Sequence, residues 1–119
     1  RAELASATRA ALFVSVHANG SVDQRATGTE TYHYPTSTLG ATLAGFIQRR
    51  LVEALGRRDR GVKPGDYFVL RETPCPAALV EVLFITNPEE ERLLVSGQVQ
   101  RRAGEAIAAG ILDYLARVR

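Results

Sequence analysis

Two hydrophobic patterns divide the chain. Short runs of apolar, β-branched and aromatic residues suit extended strands: Leu12 to His17, Thr29 to Tyr34, Tyr67 to Leu70 and Ala77 to Ile85. Elsewhere apolar residues return every three or four positions. Leu39, Leu43, Phe46, Ile47, Leu51, Ala54 and Leu55 predict one long amphipathic helix closed by Gly56, and Ala103, Ile107, Ile111, Tyr114 and Leu115 mark one face of a last helix over roughly 98–117. Arg1 to about Ala10 reads as the tail of a helix with no N-cap in view. The sharpest local signal is Asn87-Pro88-Glu89-Glu90-Glu91: an N-cap, a proline at the first helical position and acids in the first turn. Asn19 to Gly28 reads as a polar loop, and the basic stretch Arg57 to Gly65 as a turn. Strands interleaved with helices predict an α/β layer structure, a twisted, mostly parallel or mixed sheet with helices on both faces.

Against this pattern one residue stands out. Within Leu79-Val80-Glu81-Val82-Leu83-Phe84-Ile85, strict alternation puts Leu79, Glu81, Leu83 and Ile85 on one face and Val80, Val82 and Phe84 on the other. A carboxylate therefore points into a layer that should be apolar, at a desolvation cost that a metal ion, a cationic partner or an open cleft must offset. Glu81 is accordingly a candidate site residue. A second irregularity ends the first strand, where His17 is the last long side chain before the Asn19-Gly20 turn. Ligands in open α/β sheets gather outside the carboxyl ends of strands, so His17 and Glu81 are expected to meet at one sheet edge.

Composition narrows the class. A chain of 119 residues suits one domain, and 45% hydrophobic with 24% charged residues is ordinary for a globular protein. The net charge is only +2 and the basic residues are arginines apart from Lys63, interspersed with acids, which argues against a nucleic-acid partner. Cys75, between two prolines, is the only cysteine, so there is neither an internal disulfide nor a multi-cysteine metal site. No apolar run is long enough to span a bilayer. The opening Arg1-Ala2-Glu3-Leu4 lacks the layout of a secretory leader, and with no methionine anywhere the sequence reads as a piece of something longer.

Imidazole and carboxylate on neighbouring strand ends are what a zinc hydrolase requires: a nitrogen for the metal and a base near its bound water. His33, the only other imidazole, lies in the second strand and is a candidate for substrate contact. A catalytic zinc takes three protein ligands, however, and only His17 is an evident one. Ser15 and Ser37 do not sit in a nucleophile-elbow sequence, and neither a phosphate-binding glycine loop nor a paired-histidine helix motif occurs.

Several blocks in register carry a resemblance: Leu12-Phe13-Val14-Ser15-Val16-His17-Ala18-Asn19, Gly28-Thr29-Glu30-Thr31-Tyr32, Arg60-Gly61-Val62-Lys63, Val69-Leu70-Arg71, and Pro76 through Glu90. In order and spacing they resemble the zinc-dependent N-acetylmuramoyl-L-alanine amidases, the type 3 peptidoglycan amidase family, over nearly the whole chain. The resemblance implies His17 as a zinc ligand and Glu81 as the catalytic acid/base. His33, Asn19 and Arg71 are candidate substrate contacts. The resemblance places the remaining zinc ligands, a histidine and a glutamate, upstream of Arg1. The chain is then expected to be the C-terminal portion of a catalytic domain whose first strands and helix precede it, inactive in isolation. The implied reaction is zinc-dependent hydrolysis of the amide between N-acetylmuramic acid and the L-alanine of the stem peptide, in the cell wall, periplasm or secreted fraction. A non-catalytic peptidoglycan-binding relative and a zinc peptidase of soluble peptides are the alternatives. Leu83 stands where the family usually has glycine, and the interval between His17 and the helix near Leu39 leaves no room for a long inserted helix, which predicts an open cleft.

Overall fold

A computed structural model describes residues 1–118 as nine elements: α1 (Ala2–Thr8), β1 (Phe13–Asn19), β2 (Thr29–His33), α2 (Thr38–Leu55), β3 (Asp59–Pro64), α3 (Phe68–Arg71), β4 (Ala77–Phe84), α4 (Pro88–Leu94) and α5 (Gly97–Val118). The strands form one mixed sheet in the order β1-β4-β2-β3. β1 runs parallel to β4 and β2 parallel to β3, while the two pairs meet antiparallel at β2 and β4. The expected mixed sheet with helices on both faces is the observed architecture.

One face of the sheet carries the main core. Val14, Ala78, Val80, Val82 and Leu83 pack there against Leu43, Ala44, Ile47 and Leu51 of α2 and Ala103, Ala106 and Tyr114 of α5. The helices lie close because Gly110 offers no side chain where α5 crosses α2; a Cβ there would stand 2.7 Å from Ile47 Cα. A smaller apolar group, Leu70, Ala77 and Leu79 with Phe13, Tyr32 and Tyr34 at its margin, covers the start of β4 on the opposite face. Beyond Leu79 this second face turns polar.

The capping signals behave as physical chemistry dictates. Ser37 accepts from the Gly40 amide at the start of α2, and Gly56 closes it in the left-handed region at φ 64°. Asn87 accepts from the Glu90 amide at the start of α4, with Pro88 at its first position.

Three expectations are corrected. Tyr67 to Leu70 is not a strand: Phe68–Arg71 is a single helical turn that buries Leu70 against Ala77 and Leu79. Four residues are too few for periodicity to separate the two states, so packing decides. The basic stretch after Gly56 is not merely a turn, since it contains the edge strand β3; edge strands tolerate charges and a terminal proline, here Pro64, because one side makes no ladder bonds. Finally, the alternation along β4 does not hold to its end. His17 pairs with Glu81, but Asn19 pairs with Phe84, so β4 carries one extra residue there. Leu83 consequently joins the α2/α5 core, while Phe84 turns to the other face beneath the Arg60 guanidinium, 5.0 Å from its ring.

Candidate active site

The polar half of the second face is built from three strands. His17 and Glu81 are register partners on β1 and β4, and Glu81 is also the register partner of Glu30 on β2. Strand alternation brings Ser15, His17 and Asn19 to this face, where Ser15 Oγ and His17 Nε2 lie 2.7 Å apart. His17 is exposed. Glu81 is half-buried, and its Oε2 is buried with no hydrogen-bond partner among the described residues. Burial, followed by the neighbouring Glu30 charge, pushes the Glu81 carboxyl up to about 7. That is the range in which a carboxyl can both accept and donate a proton near neutrality.

Glu30, only 4% exposed, is the opposite case. Its Oε1 takes Lys63 Nζ at 2.5 Å and its Oε2 takes Asn19 Nδ2 at 2.5 Å, with Arg60 Nε 3.5 Å from Oε1. Burial raises its carboxyl, but hydrogen bonds from Lys63 and Asn19 and the charges of Lys63 and Arg60 outweigh this and hold it below the ordinary range. Two adjacent carboxyls are thus driven apart, one toward the neutral form and one fixed as an anion, a division of labour typical of acid/base sites. Tyr32, next on this face of β2, is pushed up to about 12 by burial, the Glu30 charge and Tyr67.

Arg60 and Lys63 reach the same face because β3 is irregular. Thr29 pairs with Asp59 but Thr31 with Val62, so Gly61 is an extra residue, and its φ of 83° is one that glycine adopts without strain. Without it, side chains three apart on a strand would face opposite ways.

The structure brings His17, Asn19 and Glu81 together, as the sequence suggests, and leaves His33 and Arg71 apart from them. His33 ends β2, which runs away from Glu81; by alternation it shares the face of Thr31, which bonds Gln48 of α2, and its Nδ1 lies 2.9 Å from Tyr34 O. Arg71 lies on α3 beside the start of β4, its guanidinium engaged by Asp66 and Glu72 at 2.9 Å each. Glu30 and its cations escaped the sequence reading. A glutamate between two threonines is the ordinary polar face of a strand, and only the antiparallel register sets it against Glu81. The outer edge of β1 borders an apolar groove of about 470 Å³ between Val16 and the α5 residues Val99, Ala103 and Ile107; this wall offers no titratable group apart from His17.

As a metal centre the face is incomplete within this chain. His17 is an exposed imidazole beside an unpartnered carboxylate oxygen, which suits a metal-bound water, but no group of three His, Cys, Asp or Glu side chains among the described residues is placed to hold an ion.

The sheet thus sets an exposed imidazole on its edge strand beside a half-buried carboxyl on the next strand, and comparison with known proteins supplies the family. The chain belongs to the N-acetylmuramoyl-L-alanine amidase family of type 3, whose sequence profile matches residues 1–113. It is 44% identical to an uncharacterized cell wall amidase of Bacillus anthracis, over 96% of this chain and 23% of that protein. It is also 38% identical to the N-acetylmuramoyl-L-alanine amidase LytC of Bacillus subtilis, over 96% of this chain and 23% of that protein. Among solved structures, the N-acetylmuramoyl-L-alanine amidase of Clostridium difficile 630 superposes with a TM-score of 0.94 at 36% identity, covering 99% of this chain and 64% of that one. The chain therefore spans about a quarter of these curated relatives and just under two thirds of this solved structure.

Proposed function

We propose that the chain is the C-terminal portion, in one domain, of a catalytic unit that hydrolyses the amide between N-acetylmuramic acid and the L-alanine of the stem peptide in the cell wall. The observation that carries the reading is Glu81: a carboxyl with a buried, unpartnered oxygen, drawn up to about 7, next to an exposed histidine on the parallel partner strand. Glu81 takes a proton from the attacking water and returns it to the departing amine, a role that suits a group ionising near neutrality. His17 would hold a zinc ion together with donors from beyond the described residues. Such an ion, when bound, polarises the amide carbonyl and acidifies its water. Asn19, fixed by Glu30 and bonded through its Oδ1 to the Gly20 amide, shapes the rim beside His17. Action on peptidoglycan would place the protein outside the cytoplasm, and among the described residues no helix is long and apolar enough to cross a membrane.

Release of stem peptide from purified cell wall by the full-length protein tests this reading. Glu81→Gln should lower turnover roughly 10²- to 10⁴-fold while leaving bound zinc unchanged, the range expected for loss of a general acid/base. His17→Ala should lose zinc as measured by metal analysis. An active Glu81→Gln enzyme would refute the assignment.

A further inference from the structure

Most ion pairs of the molecule give each arginine at least one carboxylate of its own. Arg50 has Asp113, Arg25 has Asp23, Arg57 has Glu89 and Glu90, and Arg71 has Asp66 and Glu72. Beside Glu81 the ratio is reversed. Lys63 at 2.5 Å and Arg60 at 3.5 Å share the single oxygen Glu30 Oε1, and among the described residues neither forms an ion pair with any other carboxylate. The shortfall is also visible atom by atom, because Arg60 Nε is buried without a hydrogen-bond partner among the described residues. The Arg60 side chain is anchored by Thr27 O at 3.3 Å and by the Phe84 ring, and the Gly61 bulge turns both cations to the catalytic face. Glu30 is almost wholly covered, whereas the side chains of Arg60 and Lys63 remain 24% and 38% exposed. What this wall presents outward is therefore positive charge, held in place by a buried anion.

We propose that Arg60 and Lys63, with Glu30 as their buttress, form a subsite for a carboxylate on the peptide arm of the substrate. The inference rests on the amidase reading given above. The anion must lie on the peptide side of the scissile bond, because the lactyl carboxyl of the muramic acid is consumed in the amide and the acetylated sugar is otherwise uncharged. A peptide bearing a free carboxylate one residue beyond the alanine is then favoured over the same peptide carrying a primary amide there. The amide can accept a hydrogen bond from either cation but brings no charge to offset the excess.

The test uses a matched pair of muramoyl peptides differing only in that carboxylate or amide, with the full-length protein in zinc-supplemented buffer. Wild type should prefer the acid in kcat/KM, mainly through KM. The acid-to-amide ratio should fall roughly ten- to a hundredfold in Lys63→Gln, the worth of one charge-assisted hydrogen bond, and recover in Lys63→Arg. A purely structural role for Lys63 would reduce both substrates alike and leave the ratio fixed. A second measurement needs no variant. In calorimetry on the metal-free wild type, the alanyl dipeptide acid should bind more tightly than its amide, with an advantage that shrinks as salt is raised. Hydrolysis of both substrates at equal kcat/KM, or equal binding of the two dipeptides, overturns the subsite and leaves the amidase reading standing. Hydrolysis of neither overturns both.

Discussion

Replacing Glu90 with alanine removes the most connected buried carboxylate among the described residues. Its side chain is wholly covered and accepts from the Gly28 amide with both oxygens, from the Phe84 amide and from Arg57 Nε, at 2.9 to 3.1 Å. Three parts of the chain converge on it: the entry to β2, the exit of β4 and the turn after α2. Alanine would leave two buried backbone donors without partners and halve the carboxylates around Arg57. Each orphaned donor costs about 1–3 kcal/mol, and removing one member of a buried charged pair about 3–5 kcal/mol. Because these overlap, the expected loss is about 3–5 kcal/mol in all, a large share of the stability of a domain this size. Glu90→Gln keeps an acceptor for the two amides but presents donors to a guanidinium, and should fall between wild type and alanine. The neighbour Glu89 also pairs with Arg57, at 2.8 Å, yet its side chain is 63% exposed, so Glu89→Ala should cost no more than about 1 kcal/mol. Urea unfolding followed by circular dichroism checks the series. If Glu89→Ala and Glu90→Ala shift the midpoint equally, buried connectivity is not what stabilises this corner.

Glu81 links stability to pH in the metal-free protein. Its carboxyl moves from 4.5 to about 7 on folding, so between those values the folded chain retains a proton that the unfolded chain has released. Stability from this group is therefore undiminished below about 4.5, declines as pH rises through the window, and is fully lost above about 7. Glu81→Gln should match wild type at pH 4 and exceed it at pH 8 in urea melts with a chelator present; a constant difference would contradict the burial argument. Gly110→Ala should lower the melting temperature, since its Cβ would meet Ile47 backbone at 2.7 Å, a clash costing about 1–3 kcal/mol. Gly104→Ala, with nothing within 4 Å, should raise it through helix propensity, and a rise at both positions would mean that α2 and α5 are not in close contact. Gly61→Ala forces a side chain into φ 83° at a cost of about 1–2 kcal/mol; an unchanged unfolding midpoint would show that the bulge is absent.

Much of this was legible in the residues, for identifiable reasons. The long helices were evident because Leu43, Ile47 and Leu51 keep a period that only a helix satisfies, and α4 because Asn87-Pro88 is chemically committed to starting one. Glu81 and His17 were visible as departures from a strong pattern. What stayed hidden were features without a period of their own. β3 reads as a charged turn because an edge strand need not be apolar, and α3 reads as a strand because one turn is shorter than either repeat. The two bulges were illegible too, since an extra residue is defined only by what it faces on the neighbouring strand. Hence the partnership of Glu30 with Lys63 and Arg60, and the placement of Leu83 and Phe84, could be seen only once the register was known.

The antiparallel joint between β4 and β2 has a further consequence. It makes the segment 20–28 a single bridge whose two abutments, Asn19 and Glu30, both stand on the face of Glu81. Its first part is moored to the turn after β4, through Ser21 N to Thr86 Oγ1 and Asn87 Nδ2 to Gln24 O, and its last residue, Gly28, is held by the buried Glu90 carboxylate. Extra residues spliced into it would leave every strand pairing untouched, and the entropy of a longer closed loop grows only logarithmically. The early part of this loop can thus change in length without disturbing the sheet beneath it.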